Sequence, residues 1–119
     1  MKKTLILGAS NNPSRYSNRA MKMLYQHGIE TVGIGRTKDH SETFPIVDSI
    51  DLEDKYHTVS IYLSPENQKN YYADILKLKP ERVIFNPGSE NQELEQLLMA
   101  NNIPFEQACT LVLLSTGQF

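Results

Sequence analysis

The sequence predicts an α/β fold, with a parallel, doubly wound sheet of five strands and helices on both of its faces. Short apolar runs alternate with amphipathic helical patterns along the chain. Several of these runs are apolar at consecutive positions, as in strands that are buried on both faces of a parallel sheet. A chain of 119 residues is long enough for one such domain, and we expect residues 1–119 to form it.

The first predicted elements surround a polar loop. The first strand is expected over residues 3–8 and the first helix over about residues 17–27, with Gly28 as its stop. Residues 29–35 are mostly apolar and predict the second strand. The loop between the first strand and the first helix therefore lies at the carboxyl end of a buried strand.

The third strand is expected over residues 59–63, after a polar connection that includes the short apolar pair Ile46-Val47. Ser64 and Pro65 then form a helix start, because serine is a favoured capping residue and proline suits the first helical position. The helix that follows is expected to bury Tyr72, Ile75 and Leu76.

The fourth strand is expected over residues 83–85. Ser89 and Gln92 have the spacing of a capping box, which predicts a helix that begins at Ser89. A short fifth strand near residues 104–107 completes the predicted sheet. The apolar residues of the last predicted helix are Leu94, Leu97 and Leu98.

The loop after the first strand has the composition of an anion-binding turn. Gly8, Ala9 and Ser10 end an apolar run, and a helix follows, which places free backbone N–H groups and the positive end of the helix dipole beside the loop. Arg15 stands where a guanidinium could reach a phosphate. Ser10 and Pro13 replace the second and third glycines of the dinucleotide fingerprint. A nucleotide site is therefore predicted, and a glycine that only lets the chain turn is the alternative.

The end of the second strand distinguishes between classes of nucleotide. A fold that binds NAD tends to place an Asp or Glu there, whereas this chain has Gly35 and Arg36, with Lys38 close behind. Two cations suit a ribose that carries an extra phosphate, which points to NADP or coenzyme A (CoA). The alternative is that Arg36 and Lys38 are solvated loop charges.

Composition argues against several other classes of protein. A net charge of −2 argues against binding of nucleic acid through a broad basic surface. No apolar run approaches the roughly 20 residues of a membrane span, and no signal-peptide core is present, so we expect a cytoplasmic protein. The single cysteine excludes an internal disulfide. The histidines share no ligand spacing with it or with each other, so we expect no metal: His27, His40 and His57.

No catalytic constellation is visible in the sequence. Cys109 is the one candidate nucleophile, but a lone cysteine beside the apolar residues 111–114 is typical of a buried packing residue. No histidine or carboxylate close in sequence marks itself as its activating base. Glu90 and Glu93 fall in the expected first turn of a helix, where interaction with the helix dipole explains them.

Four segments stand in a distinctive order and spacing: Gly8-Ala9-Ser10 with Pro13, Arg15 and Ser17; Gly35-Arg36-x-Lys38; Asn86-Pro87-Gly88 with Glu90 and Asn91; and residues 106–111. Together they resemble the small stand-alone CoA-binding proteins, which are similar to the N-terminal domain of the succinyl-CoA synthetase α subunit. The resemblance covers nearly the whole chain. It implies a Rossmann-like fold of five parallel strands that holds CoA along the carboxyl edge of the sheet.

The resemblance also implies which residues bind CoA. It puts the pyrophosphate or ribose near the first loop, the 3′-phosphate at the end of the second strand, and the adenine or the pantetheine arm beside the loop after the third strand. The loop after the fourth strand lines the rest of the cleft. In that order, the implied residues are Gly8, Ala9, Ser10, Asn11, Asn12 and Arg15; Gly35, Arg36 and Lys38; Tyr62, Ser64 and Pro65; and Asn86, Pro87 and Gly88.

The function expected from the sequence is binding of CoA or acyl-CoA without an evident catalytic site. The synthetase carries its catalytic phosphohistidine in a further domain with no counterpart in this sequence, so the resemblance implies binding and not ligase chemistry. An NADP-binding reductase or reductase subunit is the second interpretation, and a ligand-free interaction domain is the third. The expected partner is a small molecule, and a homo-oligomer or a protein partner is left open. A mixed disulfide between Cys109 and the CoA thiol is a further hypothesis.

Overall fold

The computed structural model describes residues 2–36 and 44–119, and its strands form one parallel sheet. The strand order is β3-β2-β1-β4-β5-β6, so β2 and β3 lie on one side of β1 and β4 to β6 lie on the other. This arrangement confirms the predicted α/β class with a doubly wound parallel sheet. The strands are β1 Thr4–Leu7, β2 Thr31–Ile34, β3 Ile46–Val47, β4 Thr58–Ile61, β5 Arg82–Phe85 and β6 Phe105–Gln107.

The described residues form six strands, so the predicted number of five was wrong. The additional strand is β3, which has two residues and pairs in parallel with Gly33 and Ile34 at one edge of the sheet. Two residues are too few to show a hydrophobic period. The strand exists because β2 offers it backbone partners, which the local sequence does not reveal.

The described residues also form five α-helices: α1 Tyr16–Gln26, α2 Pro65–Gln68, α3 Tyr72–Leu78, α4 Gln92–Ala100 and α5 Thr110–Ser115. The start at Ser64 and Pro65 is confirmed, but the helix after it is divided, because a 3-10 turn over Lys69–Tyr71 separates α2 from α3. Helix α5 covers the apolar run near the end of the chain, where no helix was predicted.

The predicted start of α4 at Ser89 was wrong. The N-cap residue is Asn91, whose side-chain oxygen accepts a hydrogen bond from the Leu94 N–H at 3.1 Å. Ser89 is buried instead in a turn, where its N–H donates to the Asn86 carbonyl at 2.8 Å. Serine and asparagine are both strong capping residues, and the turn after β5 decides between them.

Two apolar clusters cover the two faces of the sheet. One contains Leu5 and Leu7 of β1, with α3 and α4 packed above them through Ile75 and Leu94. The other contains Ile6 of β1 and packs beneath α1 and α5 through residues that include Met21, Leu24 and Leu114. Because both faces are covered, the edges of the sheet are left for a ligand, and in such folds the carboxyl edge is the usual one.

Candidate functional site

Backbone hydrogen bonds join the carboxyl ends of β2, β1 and β4 into one edge. The N–H groups of Gly8 and Ala9 both donate to the Ile34 carbonyl, at 3.0 and 2.9 Å. On the other side of β1, the Tyr62 N–H donates to the Leu7 carbonyl at 2.8 Å. The predicted site residues that follow these strands therefore lie at one edge, next to β1, where the strand order of the sheet reverses.

Gly8 is required by backbone geometry. Its φ of +89° lies in the region that favours glycine, and a Cβ placed on it would lie 3.0 Å from the carbonyl carbon and oxygen of Tyr62. The space beside this glycine is therefore occupied by the chain after β4. A side chain here would disturb the junction of β1 with β4 as well as any ligand above it.

Gly35 is required by a close approach between two loops. A Cβ on Gly35 would lie 2.2 Å from the Ala9 carbonyl oxygen, well inside contact distance. The loop after β1 therefore rests directly on the end of β2. This packing brings the next residue, Arg36, to the same edge as the loop.

The loop between β1 and α1 is organised by its own side chains. The Ser10 hydroxyl accepts a hydrogen bond from the Asn12 N–H at 3.1 Å, and the Asn12 side-chain oxygen accepts from the Ser14 N–H at 3.0 Å. The Asn18 side chain donates to the Ser10 carbonyl at 2.9 Å. These bonds give the loop a defined shape. Asn11, Asn12 and Arg15 are exposed on it, and Ser10 is partly buried.

Helix α1 begins without a side-chain cap. Arg15 is the N-cap residue with extended backbone angles, no side chain accepts a hydrogen bond there, and the first turn holds no acidic residue. The first N–H groups of a helix have no partner within the helix, and the dipole places partial positive charge on them. The start of α1 therefore presents free donors and the Arg15 guanidinium to the carboxyl edge.

Arg36 adds a second cation to this edge. It is exposed at the end of β2, and, like Arg15, it pairs with no carboxylate of the described residues. Lys38, the other predicted cation, lies outside the described residues. Arg15 and Arg36 are thus free to meet an anion that reaches the start of α1.

Asn86 follows β5 and is used inside the protein. Its side chain is 1% exposed and donates to the Ser60 hydroxyl at 2.8 Å and to the Ile61 carbonyl at 2.9 Å. Its oxygen accepts a hydrogen bond from the Thr110 N–H at 2.8 Å. The side chain therefore ties β4, β5 and the start of α5 together. Ligand contacts from this loop would come from the exposed residues Pro87 and Gly88.

Tyr62, in the loop after β4, lies near Cys109 and Thr110 at the start of α5. Among the described residues, the Tyr62 hydroxyl has no well-formed hydrogen bond, and burial raises the pKa of this phenol above its ordinary value. Cys109 is partly buried, which is less than expected of a buried packing residue. It is the N-cap residue of α5, a helix that was not predicted from the sequence.

Gln68 was missed in the sequence as a residue of this edge, and Asn91 was noted only as part of the motif after the fourth strand. Gln68 is fully buried and donates to the carbonyls of Leu63 and Ser89, and Asn91 donates to the Gln68 side-chain oxygen. These contacts join the loops after β4 and β5. Gln68 lies four residues after Ser64, on the side of the short helix that faces inwards. A polar residue on a buried helix face is the pattern in the sequence that could have indicated its role.

The described residues contain neither a metal-binding cluster nor a membrane-spanning helix. Across residues 2–36 and 44–119, no three side chains of His, Cys, Asp or Glu gather in the way that a metal ion requires. Within the same residues, every helix is too short or too polar to cross a membrane.

Comparison with solved structures gives the same fold. A crystal structure of an uncharacterized protein is similar to this chain with 46% identity and a TM-score of 0.93, and the match covers 100% of this chain and 98% of the other. A Thermus thermophilus protein matches with 22% identity and a TM-score of 0.82, over 99% of this chain and 91% of the other. A hypothetical protein from Pyrococcus horikoshii OT3 matches with 23% identity and a TM-score of 0.80, over 93% and 80%. The last two likenesses support the fold alone.

The family comparison is more specific. A search of curated proteins gave no match. The family model described as a CoA binding domain matches residues 2–115, which include the glycine loop, α1, Arg36 and the loops after β4 and β5. Because this match spans nearly the whole chain, the chain belongs to the CoA binding domain family.

Proposed function

We propose that this protein binds CoA, free or acylated, at the carboxyl edge of its sheet. The single observation that carries the proposal is the start of α1, which lacks a side-chain cap and an acidic first turn and has Arg15 beside it. An N-terminus of this kind favours a phosphate through its free N–H groups and its dipole. Membership of the CoA binding domain family supports CoA as the source of that phosphate.

The diphosphate and the 3′-phosphate of CoA bind at different parts of this edge. The diphosphate binds at the start of α1, with Ser10, Asn11 and Asn12 beside it. The 3′-phosphate binds at Arg36, together with Lys38, which lies outside the described residues. The remainder of the ligand runs past Tyr62, Ser64 and Pro65 towards Pro87 and Gly88. Asn86 supports this loop from below through its buried hydrogen bonds.

We assign this protein a binding role and no chemical step. Cys109 has no hydrogen bond to a histidine or carboxylate within the described residues, and these are the groups that would activate a thiol. The thiol lies at the N-terminus of a short helix near Tyr62. A test is its rate of labelling by a thiol reagent. Slow native labelling that CoA leaves unchanged agrees with an inert thiol, and fast labelling that CoA blocks would place a reactive thiol in the cleft.

The ligand assignment is tested by thermal unfolding with four nucleotides at equal concentration. A ligand that binds only the native state at 100 times its Kd raises the free energy of unfolding by about 2.7 kcal/mol, which is visible as a higher Tm. We expect the largest rise with CoA, a smaller one with dephospho-CoA, and little or none with NADP or NAD. If none of the four changes the Tm, the protein is a ligand-free interaction domain and the proposal is wrong.

Arg36 provides the matched test of the phosphate assignment. We expect Arg36→Ala to reduce or abolish the difference in Kd between CoA and dephospho-CoA, because the cation would contact the 3′-phosphate, which dephospho-CoA lacks. Lys77→Ala removes a charge from the exposed side of α3 and is expected to leave both Kd values unchanged. Calorimetric titration measures all of them. An unchanged preference for CoA in Arg36→Ala would remove Arg36 from the site.

NADP is the second candidate for one specific reason. The same cation at the end of β2 suits a 2′-phosphate, and the strand carries no acidic residue there to select NAD. A Tm rise that is larger with NADP than with CoA would make the reductase interpretation the better one.

A further inference from the structure

We propose that Gln68 is a positioning residue that sets the separation of the loops after β4 and β5 and thereby the affinity for the part of CoA beyond its nucleotide. The proposal rests on the proposed function, because it concerns the same cleft. The nucleotide of CoA and the rest of the molecule would then bind to two parts of the site that are held in place by different contacts. The nucleotide half depends on β1, α1 and Arg36, and the other half depends on Gln68.

Gln68 bridges the two loops directly. Its side chain is 0% exposed, and its amide nitrogen donates to the Leu63 carbonyl at 2.8 Å and to the Ser89 carbonyl at 2.7 Å. Leu63 belongs to the loop after β4, and Ser89 belongs to the loop after β5. Both hydrogens of one amide group are thus used to hold two carbonyls of separate loops at a fixed distance.

Asn91 and Tyr72 extend this bridge. The Asn91 amide donates to the Gln68 side-chain oxygen at 2.9 Å and to the Tyr72 hydroxyl at 2.8 Å, while the Asn91 oxygen caps α4. The Tyr72 hydroxyl donates in turn to Glu93 at 3.0 Å. The bridge therefore connects both loops with the starts of α3 and α4. A shift of one loop would have to move the others.

Apart from this bridge, the described residues link the two segments through polar contacts at the base of the loops, where Asn86 donates to the Ile61 carbonyl. Within the described residues, no backbone hydrogen bond connects residues 62–68 to residues 87–91. Burial of an amide is unfavourable unless all of its groups find partners, and an apolar side chain would pack in the same space without that requirement. A fully buried and fully bonded glutamine here indicates that the loop separation itself matters.

The nucleotide half of the site is held by other means. The Gly8 and Ala9 N–H groups bond to Ile34, Gly35 packs on the Ala9 carbonyl, and Ser10 and Asn12 form hydrogen bonds within the loop, so the first loop is held by β2 and by its own side chains. None of these contacts involves Gln68, Asn91 or Tyr72. A change in the bridge is therefore expected to affect the two halves of CoA unequally.

The experiment compares CoA with adenosine 3′,5′-bisphosphate, which represents the nucleotide half alone. Gln68→Met keeps the length of the side chain and removes its hydrogen bonds, and Tyr72→Phe removes a single hydroxyl at the outer end of the bridge. We expect the Kd for CoA to rise about tenfold in Gln68→Met, the equivalent of about one net hydrogen bond to a buried group, and by a smaller factor in Tyr72→Phe. We expect the Kd for the bisphosphate to change less than about twofold in both.

Ile103→Val is the control for lost stability. Ile103 is buried just before β6, at the opposite edge of the sheet, so this change weakens the core without touching the loops. It is expected to leave both Kd values unchanged at a temperature where the protein is folded. A merely structural role for Gln68 would give the same result for Gln68→Met as for the control.

The outcomes separate the two proposals. If the wild-type protein binds neither ligand, the proposed function is wrong, and this inference is wrong with it. If the wild type binds both but the bridge variants weaken both equally, or neither, the proposed function stands and the role of Gln68 is overturned. If Gln68→Met does not fold, Tyr72→Phe is the deciding variant. If Tyr72→Phe changes the Kd for CoA and the Kd for the bisphosphate by the same factor relative to the wild type, the inference is overturned.

Discussion

Two of the helices that begin at the carboxyl edge of the sheet, α1 and α4, have N-termini that are built in opposite ways. Helix α1 follows β1 with Arg15 at the N-cap, no side-chain cap and no acidic residue in its first turn. Helix α4 follows β5 with Asn91 as a bonded cap and with Glu93 and Glu95 in its first turn. The same physical feature, a set of free N–H groups at a positive helix end, is left open in one place and satisfied in the other.

The difference indicates which helix is available to a ligand. At α4, the Asn91 side chain accepts from one of the free N–H groups and the two carboxylates interact favourably with the helix dipole, so an anion would gain little there. At α1, the protein leaves this stabilisation unused and adds a cation. A helix start that forgoes its cap gives up about 0.5–2 kcal/mol of stability, which binding of a phosphate can restore. The comparison therefore separates a structural helix start from one that is suited to a ligand.

The largest expected effect is on stability at α4. Asn91→Ala removes the cap and deprives the Gln68 side-chain oxygen and the Tyr72 hydroxyl of the hydrogen bond that each accepts from Asn91. We expect a loss of about 2–4 kcal/mol in the free energy of unfolding, measured by urea denaturation. Asn11→Ala makes the same chemical change in the exposed loop before α1, and we expect it to cost less than about 0.5 kcal/mol. Equal losses in the two variants would contradict the comparison.

The second effect comes from an added charge at the open helix start. Tyr16 is the first residue of α1 and is 67% exposed, so Tyr16→Glu disturbs little packing. The carboxylate should stabilise the fold by about 0.3–1 kcal/mol through the dipole. It should also weaken CoA binding at least tenfold by repelling the phosphates.

Gln26→Glu is the matched control for this variant. It adds the same charge at the other end of α1, where the dipole opposes it. We expect a small loss of stability and an unchanged Kd for CoA. A rise in stability of Tyr16→Glu together with undiminished CoA binding would move the ligand away from α1.

The third effect isolates the cation at the N-cap of α1. Arg15→Ala should weaken CoA binding by about five- to tenfold, since an exposed guanidinium contributes less than a buried one to a charge-assisted contact. The free energy of unfolding should stay within about 0.5 kcal/mol, because the Arg15 side chain makes no cap bond. Lys22→Ala lies two turns further along the same helix and should change neither quantity. Calorimetry and urea denaturation together provide the readout, and a stability loss without a change in Kd would assign Arg15 a structural role.

The smallest effect is the response to salt. Arg15 and Arg36 are exposed, so a rise in ionic strength from about 0.05 to 0.5 M should weaken CoA binding several-fold. The capping contact of Asn91 is buried, and the loss of stability in Asn91→Ala should be nearly the same at both salt concentrations. Binding that does not respond to salt would argue against the two arginines as phosphate contacts.

Much of the fold and part of the site follow from the sequence by itself. The apolar runs predict a parallel sheet because strands that are buried on both faces are mostly apolar along their length. Gly8 and the Ser64-Pro65 pair could be interpreted locally, since a positive φ and a first helical turn are preferences of single residues. The glycine loop and Arg36 were likewise visible, because both directly follow predicted strands.

Other features were decided only by the tertiary structure. β3 is a strand only because β2 lies beside it, and Asn91 rather than Ser89 caps α4 because the turn after β5 buries Ser89. Gln68 contacts a carbonyl 21 residues away in sequence, and Asn86 turns its amide inwards towards residues of two other elements. Periodicity and capping preferences record interactions between near neighbours in the chain. Hydrogen bonds between distant loops leave no such local pattern, so the separation of those loops is a property of the folded molecule.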